Sequence, residues 1–302
     1  MNQQKTAEWQ QMKKSYDIDR ALIRSILKVR KEDSHKGTYG RLLLTAGSYS
    51  YRGAAVIAAL GAYYTGAGLV TVASEEEVIR AVASRVPEAV FINTASGNDE
   101  YITALKRADG CLIGCGLSRG KRAAELMDIT LGSADCPLVI DADGLNILAD
   151  KPELLSCVKR EVILTPHIGE FSRLISIPVS DILQDREALA VNYATGNRIW
   201  LVLKSNKTLV ITPDGTVFRN HIGNSGLAKA GSGDLLAGMV AALVVMGYTA
   251  ADAALSGVYL HSLAADIAVG KRNLHSMTAS YIAESISDAY NYIYYGNEGE
   301  EQ

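Results

Sequence analysis

The chain is poor in the features that would place it in a specialised class. Four of its 302 residues are cysteine. None sits in a CxxC pair or has a histidine close by in sequence. A zinc site needs several such ligands converging, so Cys111, Cys115, Cys136 and Cys157 are expected as reduced core thiols. An excess of one charge is also missing. Lys and Arg number 30 against 33 Asp and Glu, a net charge of −3, which argues against nucleic acid or an anionic membrane surface as partner. The N-terminal stretch MNQQKTAEWQQMKKSYDIDRALIRSIL has no apolar h-region and no small-residue cleavage site. No unbroken run of about 18 apolar residues occurs, and GMVAALVVMG comes closest. A cytoplasmic location is therefore expected. The P-loop pattern GxxxxGK[ST] and a GxGxxG opening a βαβ unit are both absent.

What the chain does have is a regular alternation. Residues 1–33 are polar and charged and read as an arm, with an amphipathic helix near Asp19–Leu27. From residue 34 to 302 a single domain is expected. Apolar runs of strand length, such as RLLLT, GLVTVAS, GCLIG, PLVID, EVILT and IWLVL, alternate with helical patterns. Strands apolar throughout, separated by helices, imply a mostly parallel sheet covered on both faces. TPDGTVF marks one hairpin and an antiparallel pair late in the chain. Three helices, 234–246, 250–269 and 278–292, are expected to close the domain.

In open α/β sheets ligands bind beyond the carboxyl ends of the strands, so residues at those ends carry the functional reading. After the first strand of the domain, AGSYSYRGAA brackets a loop with Gly47 and Gly53 and runs into a helix. Gly114 and Gly116 strip side chains from another strand end. Asp141 and Asp143 share one face of an extended chain, as a metal pair or, for Asp143, as a helix cap. PHIGEF places His167 and Glu170 where a helix begins, so Glu170 is either a first-turn acid or part of a site. Lys204 ends another strand, either as a phosphate contact or as a snorkelling surface lysine. In AGSGD, Gly231 and Gly233 free backbone N–H groups at the positive end of a helix, which makes an anion site without a side-chain cation. Asp234 follows either as a helix cap or as a base beside that anion.

In order along the chain, KGTYGRLLLTAGSYSYRGAA, GAGLVTVAS, IGCGL, DADGLNIL, LTPHIGEF, LKSNKTLVITPDG, GNSGLAKAGSGDLLAGM and YLHSLAAD resemble the ADP- or ATP-dependent NAD(P)H-hydrate dehydratases. The resemblance covers about residues 34 to 292. It implies a ribokinase-like three-layer α/β/α sandwich with a mostly parallel central sheet. It implies that ADP or ATP phosphorylates the hydroxyl of hydrated NADH or NADPH (the S epimer), and that phosphate then leaves to restore the nicotinamide ring. Asp234 is then the base, and Gly231, Ser232 and Gly233 form the anion hole. Lys204, Ser205, Asn206, Lys207 and Thr208, with Gly233, bind the nucleotide. Ala54, Gly116 and His167, with Asp234, contact the hydrated dinucleotide. Glu170 is tied indirectly to Mg²⁺, a separate epimerase acts on the same metabolite, and the assembly is a homotetramer.

Three residues depart from the family pattern: Ile168 and Cys115 each stand where proline is usual, and Ala230 replaces a common glycine. The polar groups are all retained. Two other functions fit parts of the same pattern. A vitamin-precursor kinase of the hydroxymethylpyrimidine or hydroxyethylthiazole type would share the anion hole and Asp234, but AGSYSYRGA and PHIGE fit it less well. A non-catalytic nucleotide sensor would have lost Asp234 or the glycines, and neither is lost.

Overall fold

The computed structural model describes residues 14–156 and 158–296. The apolar runs form the centre of a ten-stranded sheet. In chain order the strands are β1 (Ser15–Ile18), β2 (Arg41–Thr45), β3 (Leu69–Ser74), β4 (Val90–Asn93), β5 (Gly110–Ile113), β6 (Leu138–Ile140), β7 (Val162–Leu164), β8 (Trp200–Leu203), β9 (Leu209–Ile211) and β10 (Val217–Asn220). Their spatial order is β1-β10-β9-β8-β7-β6-β5-β2-β3-β4. Every neighbouring pair is parallel except β8–β9 and β9–β10, so β9 alone runs against the rest. This is the expected sandwich, with two consecutive late hairpins, β8–β9 and β9–β10, where the sequence marked one.

The alternation along each strand feeds two cores. In β2, Leu42 and Leu44 enter one apolar cluster and Leu43 the other. One core lies under the helices Arg52–Thr65, Ser232–Val245 and Ala250–Lys271, and the other under Lys121–Ser133 and Arg186–Asn197. The helix Ser232–Val245 is apolar all round because it is enclosed all round. Glycines let it cross Arg52–Thr65 closely: a Cβ on Gly238 would lie 2.1 Å from the Ala58 carbonyl oxygen. Ala250–Lys271 is long and apolar enough to cross a membrane, although polar residues interrupt its apolar runs. Of its apolar window, 78% is buried inside the protein.

The structure adds detail that periodicity alone did not supply. Ser15–Ile18, within the expected arm, pairs parallel to β10 as the outermost strand. The helix after it, Arg20–Ile26, is capped by Asp19, whose carboxylate accepts from Leu22 N–H at 2.7 Å. Strand β4 and the helix Asp99–Arg107 lie in a stretch without a clear pattern. Helices Val179–Gln184 and Arg186–Asn197 lead into β8, and the helix expected over 278–292 divides into Ala279–Glu284 and Ile286–Tyr295. Of the four cysteines, Cys111, Cys115 and Cys136 are free and buried as expected; Cys157 lies outside the described residues.

The chain runs from β2 outward to β4, then returns to place β5 on the other side of β2. The switch point between β2 and β5 is where open α/β sheets favour a ligand crevice. There the two loops are stitched together. Gly47 N–H donates to the Cys115 carbonyl at 2.8 Å, and Ser48 Oγ donates to the Gly116 carbonyl at 2.9 Å.

Candidate functional site

The strand ends along β2, β5, β6, β7 and β8 converge on the start of the helix Ser232–Val245. That helix begins at Ser232, two residues before the expected start at 234. Gly231 is its N-cap, with φ 91, and no side chain caps it. The left-handed conformation favours glycine. Ser232 N–H donates to the Lys229 carbonyl at 3.3 Å, while the N–H groups of Gly233 and Asp234 have no backbone partner among the described residues and carry the positive end of the dipole. Asp234 is the third helical residue, so it is not the cap, and its carboxylate is available to the site.

Opposite it sits Lys204. Its Nζ lies 2.7 Å from Asp141 Oδ1 and 3.9 Å from Glu170 Oε2, and its side chain is only 17% exposed. The snorkelling alternative is therefore excluded. Burial alone would lower the pKa of the ammonium, but Asp141 and Glu170 outweigh burial and hold it above its ordinary value. Asp141 is held from the other side by Thr165 Oγ1, which donates to Oδ1 at 2.7 Å. The acid pair expected in DADG thus splits. Asp141 turns into the site, Ala142 takes a left-handed φ of 49 at the cap position, and Asp143 instead accepts from Ser118 N–H at 2.8 Å. Asp143 is neither the cap of its helix nor a partner of Asp141.

The Cys115 thiol lies between two carboxylates. Its Sγ donates to Asp141 Oδ2 at 3.7 Å, and the ligand atoms of Cys115, Asp141 and Asp234 all lie within 4.8 Å of one another. Burial, and then the neighbouring Asp141 charge, push Asp234 up to about 6, while Cys115 and Lys204 draw it part of the way back. Burial followed by the charges of Asp234 and Asp141 keeps the thiol protonated, well above the usual cysteine range. A base with an apparent pKa near the working pH suits proton abstraction.

His167 and Glu170 form a reciprocal capping box at the start of the helix Ile168–Ile175. His167 Nδ1 accepts from the N–H of Gly169 at 3.0 Å and of Glu170 at 3.2 Å. Glu170 Oε2 accepts from His167 N–H at 2.8 Å. Burial raises Glu170 above the usual carboxylate range despite Lys204. Burial and the nearby Lys204 lower His167 below the usual imidazole range, so the ring is neutral at neutral pH. Each is structural in the capping box; His167 also lines the cavity beside Ser232, and Glu170 lies 3.9 Å from Lys204 Nζ.

A cavity of about 610 Å³ opens beside the Gly231–Gly233 turn. Lys204, Ser205, Asn206 and Thr208 line it together with His167, Ser232 and Gly233. Lys207 is exposed and does not line it, and its carbonyl accepts from Arg186 and Ser205 instead. The far wall, Asn220–Lys229 with Val258, His261 and Ser262, was not singled out residue by residue in the sequence. His261 is the most telling member. It is buried on the long helix 30 residues or so from the motif, its Nε2 lies 3.3 Å from Ser232 Oγ, and burial followed by Lys204 lowers it to about 4. Only the helix–helix packing brings it there.

Ala54 and Gly116 lie on the opposite side of the turn, outside this cavity. They touch: a Cβ on Gly116 would fall 2.7 Å from the Ala54 Cβ. A Cβ on Gly231 would face Ile57, one helical turn beyond Ala54. The Cys115 thiol, next to Gly116 in sequence, and Asp141, the partner of Lys204, both lie within 4.8 Å of the Asp234 carboxylate, so Asp234 stands between the Gly116 strand end and Lys204.

Comparison with known proteins agrees with this geometry. Residues 42–288 match the family model described as NAD(P)H-hydrate dehydratase. The chain is 38% identical over 248 residues to the ADP-dependent (S)-NAD(P)H-hydrate dehydratase of Neisseria meningitidis, covering 80% of this chain and 81% of that protein. It is 38% identical over 268 residues to the bifunctional NAD(P)H-hydrate repair enzyme of Moorella thermoacetica, covering 86% of this chain and 51% of that protein. The chain thus spans about half the length of that relative. The ADP/ATP-dependent NAD(P)H-hydrate dehydratase of Bacillus subtilis, crystallised with ATP and Mg²⁺, superposes with a TM-score of 0.83 at 32% identity, covering 92% of this chain and 98% of that one.

Proposed function

The chain belongs to the NAD(P)H-hydrate dehydratase family, and from that premise we propose that it dehydrates the S epimer of hydrated NADH or NADPH with ADP or ATP as phosphoryl donor. The observation that carries this is the placement of Asp234. An acid pushed up to about 6 lies within 4.8 Å of Cys115 and of Asp141, the partner of Lys204, in the first turn of a helix whose N-terminus no side chain caps.

The chemistry follows from those groups. The hydroxyl on ring carbon 6 of the hydrated nicotinamide is a poor leaving group as water. With the nicotinamide against Ala54 and Gly116, that hydroxyl faces Asp234. The carboxylate takes its proton as the oxygen attacks the terminal phosphorus of the nucleotide. An O–P bond forms and the bond to the nucleotide breaks, so ADP leaves AMP behind. The N–H groups of the Gly231–Gly233 turn stabilise charge on the transferring phosphoryl group. Lys204, fixed by Asp141, is a preorganised cation on the same side. The C6–O bond then breaks, phosphate departs with the hydroxyl oxygen, ring carbon 5 gives up a proton to water, and the ring double bond returns.

The donors on the phosphate side suit Mg²⁺. Glu170 and Asp141 offer carboxylate oxygens, the ligand type a hard cation takes, and these two residues would hold it together with the phosphates. When bound, Mg²⁺ neutralises phosphate charge. An epimerase that supplies the S epimer is the partner reaction, and a homotetramer is the proposed assembly.

The test is direct. Purified protein is incubated with hydrated NADH and either ADP or ATP, and the near-ultraviolet absorbance of the dihydronicotinamide is followed. Recovery that requires the nucleotide is expected. No recovery with either nucleotide, or phosphorylation of a hydroxymethylpyrimidine in its place, would overturn the reading.

A further inference from the structure

Away from the catalytic rim, at the start of β5 and just before β6, two thiols face one another. Cys111 Sγ and Cys136 Sγ are 3.5 Å apart. The residues lie on adjacent parallel strands or their lead-in: Cys111 pairs with Leu138 in the sheet, and its N–H donates to the Pro137 carbonyl at 3.0 Å. Cys136 sits in the turn before β6 rather than in the strand. That backbone can give by the small movement that bonding of the two sulfurs requires. Cys111 is 2% exposed and Cys136 8%, so Cys136 is the one nearer solvent.

We propose that Cys111 and Cys136 are a peroxide-responsive dithiol that closes to a disulfide between β5 and the lead-in to β6. The roles of the two sulfurs are unequal. Either sulfur can donate in the hydrogen bond the two share, and that bond, with Arg160 nearby, lowers Cys136 against the opposing effect of burial. Cys136, the more exposed of the two, is the attacking sulfur. Its sulfur attacks one oxygen of hydrogen peroxide, an S–O bond forms, the O–O bond breaks and hydroxide leaves. The Cys111 sulfur then displaces the hydroxyl from the sulfenic acid. The S–S bond forms, the S–O bond breaks, and the Cys111 proton leaves in water. Two thiols lose two electrons to one peroxide, which becomes two waters.

The bond would close a loop that contains the helix Lys121–Ser133 and the strand end carrying Cys115 and Gly116. Such a link acts chiefly by restricting the unfolded chain. The inference does not depend on the reaction proposed above, because its readouts are thiols, mass and melting temperature.

The experiment treats the purified full chain with stoichiometric hydrogen peroxide. Thiols are then titrated after denaturation, and cross-linked peptides are mapped. The four thiols of the chain should fall to two, with Cys111 and Cys136 joined, and Tm should rise by about 5 °C until dithiothreitol reverses it. Cys136→Ser should abolish the cross-link. Cys111→Ser should leave a sulfenic acid on Cys136 that dimedone traps. Four thiols persisting after peroxide, a different pair joined, or oxidation of Cys136 to sulfinic acid in the unmodified chain each overturns the proposal. If Cys111→Ser does not fold, the Cys136→Ser comparison and the peptide map still decide it.

Discussion

Lys204 Nζ is bonded to Asp141 Oδ1 at 2.7 Å, and Asp141 is 1% exposed. These residues end β8 and β6, strands separated in the sheet by β7. The pair therefore spans a strand and holds a cation ready at the mouth of the cavity. Removing one partner of such a buried pair leaves an uncompensated charge.

Lys204→Met is therefore expected to cost stability as well as function. The loss should be about 3 kcal/mol, the low end for a broken buried pair, because Lys204 keeps 17% of its side-chain exposure. A urea titration reads it as a lower midpoint. Affinity for ADP should fall by about tenfold or more, since one charge-assisted phosphate contact is lost. Unchanged ADP affinity would mean that Lys204 serves only to neutralise Asp141.

Asp234→Asn should lower turnover by on the order of 10² or more while ADP still binds. In the unsubstituted enzyme, turnover should rise with pH through about 6 and level off above it, since the carboxylate is the active form. The stability effect has the opposite sign. The folded pKa lies above that of an exposed Asp, so its contribution is present below about 4 and is lost as pH rises through about 6. Asp234→Asn should thus be at least as stable as the parent at pH of about 8. Normal turnover in this variant would reduce Asp234 to a first-turn acid.

Two glycine substitutions separate backbone geometry from simple mass. Gly231 has φ +91, and a Cβ there would lie 3.2 Å from the Ala279 Cβ. Gly231→Ala should cost about 1–2 kcal/mol for the left-handed backbone and reduce turnover on the order of 10² by displacing the N–H donors. Gly132, in the helix Lys121–Ser133, has open space around its Cβ position. Gly132→Ala should be stabilising by about 0.5–1 kcal/mol with turnover unchanged. Melting curves and initial rates on both variants check the contrast.

His167 caps a helix and faces the site, and two variants divide these roles. His167→Ala should lose about 1 kcal/mol with the cap. His167→Asn should recover most of that, because asparagine is a strong N-cap. Both should raise the KM for hydrated NADH. If His167→Asn restores KM along with stability, the histidine is a cap alone.

Much of this protein was legible in single stretches of sequence. The parallel sheet shows in strands that are apolar on both faces, such as Leu42–Leu44 and Leu138–Ile140. AGSGD was readable as an anion turn because it depends on local backbone freedom and the start of one helix. Lys204 was visible because it directly follows the apolar run of β8, and His167 and Glu170 because they lie where β7 gives way to a helix. Where local signals were weak, the reading ran out: β4 is a short edge strand, and β1 has a single buried residue, Ile18.

The amino-acid order by itself determined the alternation of strands and helices, the rim on which function sits and the residue types available there. It did so because periodicity, glycine freedom and helix ends are properties of neighbours along the chain. The tertiary structure alone decided which of those residues meet. It chose Asp141 over Asp143 as the partner of Lys204, set Cys115 between two carboxylates, brought His261 to Ser232 and placed Cys111 against Cys136. These are contacts between residues distant in sequence. Their burial, and the pKa shifts that follow, arise only when the sheet order and helix crossings exclude water from around them.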